Sequence, residues 1–251
     1  MARPDAPRPG RDGPVLFVSD LHLAPERPAE ADAFLRLLSG EARSASALYI
    51  LGDLFEYWIG DDAPSAFDAS ILDAIGGLSA AGVPVYFMHG NRDFLLGRRA
   101  ARRAGMTLLD DPTLIDLFGT PTLLMHGDTL CTDDVAYQRF RAQVRRPWRI
   151  RAFLLLPLAL RRRVGLALRG RSEQDKQAKS AAIMDVSPGA VDEALRTHGY
   201  PRLIHGHTHR PARHLHELEG QRCERIVLGD WYRGGSYLRV DAGGATEVHV
   251  S

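Results

Sequence analysis

Five short segments of this 251-residue chain carry side chains suited to hard metal ions: Asp20-Leu-His22, Gly52-Asp53, His89-Gly-Asn91-Arg92-Asp93, His126-Gly-Asp128 and His205-Gly-His207-Thr-His209. The set is carboxylate, imidazole and one amide, with no thiolate. Such a mixture disfavours structural zinc and favours Mn²⁺, Fe or catalytic zinc, often as a pair. Two ions roughly 3.5–4 Å apart are the usual device for in-line displacement at phosphorus. One carboxylate must bridge them, and Asp53, alone on its loop, is the candidate. The adjoining glycines let the backbone turn sharply and come close to an ion or a phosphate. A single Asp or His after a strand is an ordinary loop residue, and His198, His214, His216 and His249 are read that way. Five such loops in succession are hard to obtain by accident.

The elements that must position these residues follow from apolar patterning. Residues 15–19, 47–51 and 83–88 are short apolar runs, as expected for strands buried on both faces. They alternate with helical patterns at 30–38, around Ile71, Leu72, Ile75 and Leu78, and at 94–104. This alternation predicts a layered α/β fold with parallel strands, whose carboxyl ends gather the ligand-bearing loops at one edge. Beyond Met106 shorter strands are predicted at 113–117 and 122–125, then 202–204, 212–218, 224–228, 236–240 and 246–250. Glu219-Gly220 and Gly243-Gly244 supply hairpin turns, and Ser187-Pro-Gly reads as an N-cap opening a helix to about His198.

With 45% hydrophobic and 25% charged residues, the chain has the make-up of a globular protein able to bury a sizeable core. Cys131 and Cys223 give no disulfide framework, which favours a reducing compartment. Residues 1–14 are expected to be a frayed leader before a domain spanning 15–251. The longest apolar run, 152–160, is broken by Pro157 and is far shorter than the roughly 20 residues that cross a bilayer. The net charge of +1 hides an asymmetry: residues 135–172 hold eleven arginines and no acid, leaving 21 basic against 31 acidic residues elsewhere. A basic block on an acidic body implies an anionic partner.

In their order and spacing, Asp20-x-His22, Gly52-Asp53, Gly90-Asn91, His126-Gly and Gly206-His207-Thr-His209 resemble the calcineurin-like metallophosphoesterase superfamily. That resemblance implies a four-layer α/β/β/α sandwich and two divalent metal ions, with Mn²⁺ the expected metal. It implies one ion on Asp20, His22, Asp53 and His207, and the other on Asp53, Asn91, His126 and His205. Where the superfamily usually has Gly-Asn-His, this chain has Arg92. Arginine cannot release its proton, so it would clamp phosphoryl oxygens rather than protonate a leaving group. A leaving group needing no proton, such as another phosphate, points to pyrophosphate cleavage.

Finer motifs, Gly52-Asp-Leu-Phe-Glu-Tyr-Trp-Ile-Gly-Asp-Asp62, Gly90-Asn-Arg-Asp-Phe94, Ile183-Met-Asp-Val186 and His205-Gly-His-Thr-His-Arg-Pro211, resemble the UDP-2,3-diacylglucosamine diphosphatase family of lipid A biosynthesis. Its members hydrolyse UDP-2,3-diacylglucosamine to UMP and 2,3-diacylglucosamine 1-phosphate, through attack on the uridine-side phosphorus. The resemblance gives Asp53, Asn91 and Arg92 catalytic roles. It implies substrate contacts at Asn91, Arg92, Asp134, Ser172, position 176, Lys179 and His205, with Lys176 standing where the family has Asn.

Leucines interleaved with the arginines suit an interfacial helical element, so an insertion at about 135–182 is expected to form a lid and meet an anionic membrane surface. The expected place of such an enzyme is peripheral, on the cytoplasmic face of the bacterial inner membrane, with no nucleic acid and no obligate protein partner. Two alternatives stay open: another phosphoesterase of the same fold, a nuclease or nucleotide pyrophosphatase, and a non-catalytic metal-binding scaffold. Preference for single-stranded DNA would mark the first. Eroded ligands would mark the second.

Overall fold

Alternate residues of the first strands face opposite ways, and both ways are buried. Leu16, Val18, Leu48, Ile50, Val85 and Phe87 join one apolar cluster, while Val15, Phe17, Ala47, Tyr49 and Leu51 join another. The two-sided burial forces covering layers on each side. The computed structural model describes residues 13–178, 185–232 and 234–250. In it, β1 (Val15–Val18), β2 (Ala47–Ile50), β3 (Val85–Met88) and β4 (Met106–Leu109) run parallel, and β10 (Ser236–Asp241) and β11 (Gly244–His249) complete the sheet in the order β11-β10-β1-β2-β3-β4. A second sheet has the order β5-β6-β7-β9-β8, from Thr113–Leu117, Thr120–Met125, Arg202–His205, Gln221–Val227 and Ala212–Leu218.

Helices α1 (Pro28–Ser39), α2 (Ala66–Ala80) and α3 (Arg98–Arg103) cover the first sheet through Phe34, Leu37, Ile71, Ile75 and Ala100. The two sheets meet through residues such as Phe17, Tyr49, Leu124, Ile204 and Ile226. Val191 and Leu195 of α7 (Pro188–Thr197) close the far side of the second sheet against Leu123 and Leu203. The order helix, sheet, sheet, helix is the α/β/β/α sandwich expected from the sequence.

Three local readings change. The strand β4 was not foreseen: only four residues long, it is followed by no ligand loop. The helix expected from 94 begins at Arg98, because Asp61 reaches across to the amides of Gly97, Arg99 and Ala100 and fixes its start. Ser187 stands at the N-cap of α7 but makes no side-chain cap, since its hydroxyl accepts the Asp133 amide instead.

Between β6 and α7 the chain forms α4 (Val135–Val144), α5 (Pro147–Leu154) and α6 (Leu158–Ala178). Arg161 pins them to the body. It is buried amid a largely exposed arginine block and donates to the Ile59 carbonyl at 2.8 Å, the Leu156 carbonyl at 3.1 Å and the Asp62 carboxylate. Among the described residues no helix is long and apolar enough to cross a membrane.

Candidate metal centre

The loops leaving β1, β2, β3, β6 and β7 meet at one edge and are bound to one another before any ligand is considered. Asp20 N–H donates to Gly52, His22 N–H to Asp53, and Gly206 N–H to the His126 carbonyl. Asp93, fully buried, accepts the amides of Gly90 at 2.9 Å and Leu54 at 2.7 Å, tying the β3 loop to the β2 loop. The approach is so close that only glycine fits: a Cβ on Gly90 would lie 2.1 Å from Asp53 Oδ1, and one on Gly206 2.0 Å from Ser19 Oγ. Among the described residues, eight other than glycine have positive φ, and five of them are Asp20, His22, Asp53, His207 and His209. Backbone strain of this kind gathers at functional sites.

Two groups of donors result. Asp20 Oδ2 accepts Ser19 Oγ–H and the His207 amide, both at 2.7 Å, which turns Oδ1 toward His209 Nε2 at 3.4 Å and His22 Nε2 at 3.9 Å. The Nε2 atoms of His22 and His209 are themselves 3.4 Å apart. In the second group, Asn91 Oδ1 lies 3.1 Å from His126 Nε2 and 3.0 Å from His207 Nδ1. Asp53 stands between the groups, with Oδ2 3.6 Å from His22 Nε2 and Oδ1 3.9 Å from His126 Nε2. That placement would let Asp53 serve as the carboxylate shared by two ions.

The remaining imidazole nitrogens are held in the manner of metal-binding histidines, whose outer nitrogen usually meets a carboxylate or carbonyl. His126 Nδ1 is 2.8 Å from the Leu51 carbonyl, His22 Nδ1 3.6 Å from Glu56, and His209 Nδ1 3.3 Å from Asp230. The electrostatics also fit a cation. Burial raises Asp53, and the neighbouring Asp20 charge adds to it. Burial would lower His126, but Asp53, Asp128 and Asp20 overcome it and lift it to about 9. For Asp20 burial is outweighed by the hydrogen bond and charge of His209, so it stays below the usual carboxylate range. The chain offsets its buried carboxylates by holding protons, and divalent ions satisfy the same demand.

In the last loop His207 and His209 stand against the two groups, while His205 stands apart. Its Nδ1 is 2.9 Å from the Gly206 carbonyl, its Nε2 is 3.2 Å from Arg225 Nη1, and burial pushes its pKa down to about 4. The residue ends β7, paired with Val227. Asp20, His22 and His209 thus form one donor group and Asn91, His126 and His207 the other, with Asp53 between them, whereas the sequence expectation gives His207 to the first ion and His205 to the second.

Arg92 lies beside Asp53, to which its backbone amide donates at 2.8 Å, while its carbonyl accepts the Trp58 amide. Asp134 is the N-cap of α4, accepting the Tyr137 amide at 3.1 Å. Ser172 and Lys176 fall on α6, with side chains outside the described residues, as is Lys179. Sequence reasoning missed His209, Glu56, Asp230 and Tyr232, whose ring stacks on His22 at 5.3 Å and carries Arg27 on its other contacts at 4.7 Å. Two of these had a signal, His209 in the His-x-His repeat and Glu56 in the Gly52–Asp62 motif.

The profile of the calcineurin-like phosphoesterases matches residues 13–211. A UDP-2,3-diacylglucosamine hydrolase of Stenotrophomonas maltophilia (strain K279a) is 55% identical over 237 residues, covering 92% of this chain and 96% of the relative. One from Escherichia fergusonii is 52% identical over 235 residues, covering 94% and 98%. Among solved structures, a novel archaeal phosphodiesterase aligns over 94% of this chain and 99% of its own at 12% identity, with a TM-score of 0.46. Because the profile spans all five ligand loops as far as Pro211 and the hydrolases align over nearly the full length, the chain belongs to the calcineurin-like phosphoesterase family, with the UDP-2,3-diacylglucosamine hydrolases as its relatives.

Proposed function

We propose that this protein hydrolyses the pyrophosphate of UDP-2,3-diacylglucosamine to UMP and 2,3-diacylglucosamine 1-phosphate, a step of lipid A synthesis. The observation that carries the reading is Asp53, one oxygen turned to each of two donor groups in a phosphoesterase fold. The relatives' name supplies the substrate. A pair of divalent cations held there supplies Lewis-acid charge to phosphoryl oxygens and lowers the pKa of water. A donor set of carboxylate, imidazole and amide oxygen without sulfur suits Mn²⁺.

The chain's own residues do the rest. Asn91 and Arg92 place the uridine-side phosphoryl group, and the Arg92 guanidinium offsets charge that grows on its oxygens. Water adds to that phosphorus, and the bond to the bridging oxygen breaks. The departing sugar phosphate is stable as an anion, so no acid is required, in keeping with an arginine at this position.

The insertion supports a peripheral place at the cytoplasmic face of the bacterial inner membrane. Among the described residues, eight of thirteen exposed large apolar side chains lie on it, including Trp148 and Leu155, interleaved with arginines. Such a surface suits anionic headgroups and acyl chains. Arginine and leucine together favour lipid over a nucleic-acid backbone as the anionic partner.

The test is UMP release from UDP-2,3-diacylglucosamine with Mn²⁺ and with chelator, beside single-stranded DNA and a small soluble phosphodiester. Chelator-sensitive UMP release with little DNA cleavage is expected, and dominant nuclease activity overturns the reading. Sedimentation with phosphatidylglycerol vesicles, against neutral vesicles and a Trp148→Ala, Leu155→Ala variant, tests the membrane part. Equal binding of both proteins to both vesicles overturns it.

A further inference from the structure

We infer that Asp128 and Arg145 are positioning residues through which the first insertion helix assembles one half of the metal centre, the half that holds Asn91 and His126. The inference rests on the metal-centre reading and concerns a part of the chain to which that reading gives no role.

Asp128 follows His126 and Gly127 in the loop leaving β6 and is fully buried. A single oxygen, Oδ2, accepts the Tyr137 hydroxyl at 2.7 Å, Arg141 Nε at 2.6 Å and Arg145 Nη2 at 3.3 Å. These three donors are spaced by four residues on α4 and its C-cap, so one helical face supplies them all. Gln138 adds a fourth tie, from Nε2 to the Asp128 carbonyl at 2.7 Å.

Arg145 makes a second contact that changes the meaning of the first. Its Nη2 also donates to the Gly90 carbonyl at 2.8 Å, and its guanidinium lies over the Phe94 ring at 5.4 Å. One cation therefore spans the β3 loop and the β6 loop. Those loops deliver Asn91 and His126, whose donor atoms must stand 3.1 Å apart. The Tyr137 ring stacks 6.1 Å from His207, which also meets Asn91. The Asp20 and His22 half has braces outside the insertion, namely Glu56 and Tyr232. The helix thus supports the two halves unequally, and the insertion is part of one metal site's scaffold.

The experiment is a titration of the full chain with Mn²⁺ alone, by equilibrium dialysis and elemental analysis, with thermal melts as a control for folding. Wild type is expected to bind two ions. Arg145→Gln and Asp128→Asn should each keep one affinity and weaken the other by about 10–100-fold, the range seen when an outer-sphere partner is lost. Arg145→Lys, which keeps the charge but reaches only one of the two oxygens, should fall between. Arg161→Met, which cuts the insertion's other anchor, should leave both affinities unchanged. Two wild-type affinities in Arg145→Gln and Asp128→Asn overturn the inference. So does loss of both ions together in step with a lower melting temperature. A wild type that binds two ions yet releases no UMP refutes the functional reading and leaves this inference standing.

Discussion

Arg225 Nη1 stands 3.2 Å from His205 Nε2, so a metal ion taken by this imidazole must displace the guanidinium. A guanidinium has only donors, so the nitrogen facing it is an acceptor, the form that also binds metal. His205→Gln should lose one of two Mn²⁺ ions and slow turnover by more than the roughly 10–100-fold of an outer-sphere loss, with the smaller loss in His209→Gln. Elemental analysis of both variants checks the assignment, and metal loss in His209→Gln with none in His205→Gln would reverse it.

Asp53 is expected to matter to both ions at once. Its replacement by Asn keeps the shape but removes the charge between the two donor groups. A loss of about 4 kcal/mol in transition-state stabilisation corresponds to roughly 10³ in rate, and Asp53→Asn should lose at least that. Both ions should become weak in the same titration. A variant that holds one ion at wild-type affinity would show that Asp53 belongs to a single site.

Arg92 should separate chemistry from metal binding. Its main chain is fixed by Asp53 and Trp58, so shortening the side chain leaves the loop in place. By analogy with removing one oxyanion donor, Arg92→Ala should lower kcat by about 10²–10³. Metal content should not change. An unaltered kcat would remove Arg92 from the mechanism.

Gly60 is the point where the insertion seats on the body. Its φ is +130°, and an added Cβ would lie 2.4 Å from Arg161 Nη1 and 2.9 Å from Leu154 Cδ2. Strain in such a backbone region costs about 1–3 kcal/mol, and each kcal/mol lowers Tm by roughly 2–4 °C in a chain of this size. Gly60→Ala should speed hydrogen exchange in α5 and α6 first, with hydrolysis of a small phosphodiester little affected. Uniform exchange across the molecule would contradict this seating. Leu154 touches the body at Gly60 and is less exposed than Leu155 and Trp148, which are the better probes of lipid contact.

The ligand loops were legible because each follows a strand whose apolar run is continuous, as at Val15–Val18 and Ala47–Ile50. The approach of His209 to Asp20 and His22 was not, since it depends on where β7 stops pairing, a property set by Val227 on another strand. Glu56 stands within the Gly52–Asp62 motif, but nothing there names His22 as its partner, and Asp230 carries no motif at all. The three donors to Asp128, Tyr137, Arg141 and Arg145, fall in the stretch read as an interfacial element. Their spacing of four was present in the sequence, but the carboxylate they share lies outside the helix.

The left-handed backbone at Asp20, His22, Asp53, His207 and His209 limits what can replace them. Outside glycine, that region is entered most readily by Asn, Asp and His, and least by β-branched side chains. The main chain thus favours, at these five positions, two of the residue types that metal chemistry also favours. Glutamate for Asp20 would preserve the carboxylate yet lose the backbone preference, and valine or threonine would lose both. Two independent filters, one conformational and one coordinative, act on the same five codons, so drift toward a different ligand type at this edge is opposed even before an ion is bound.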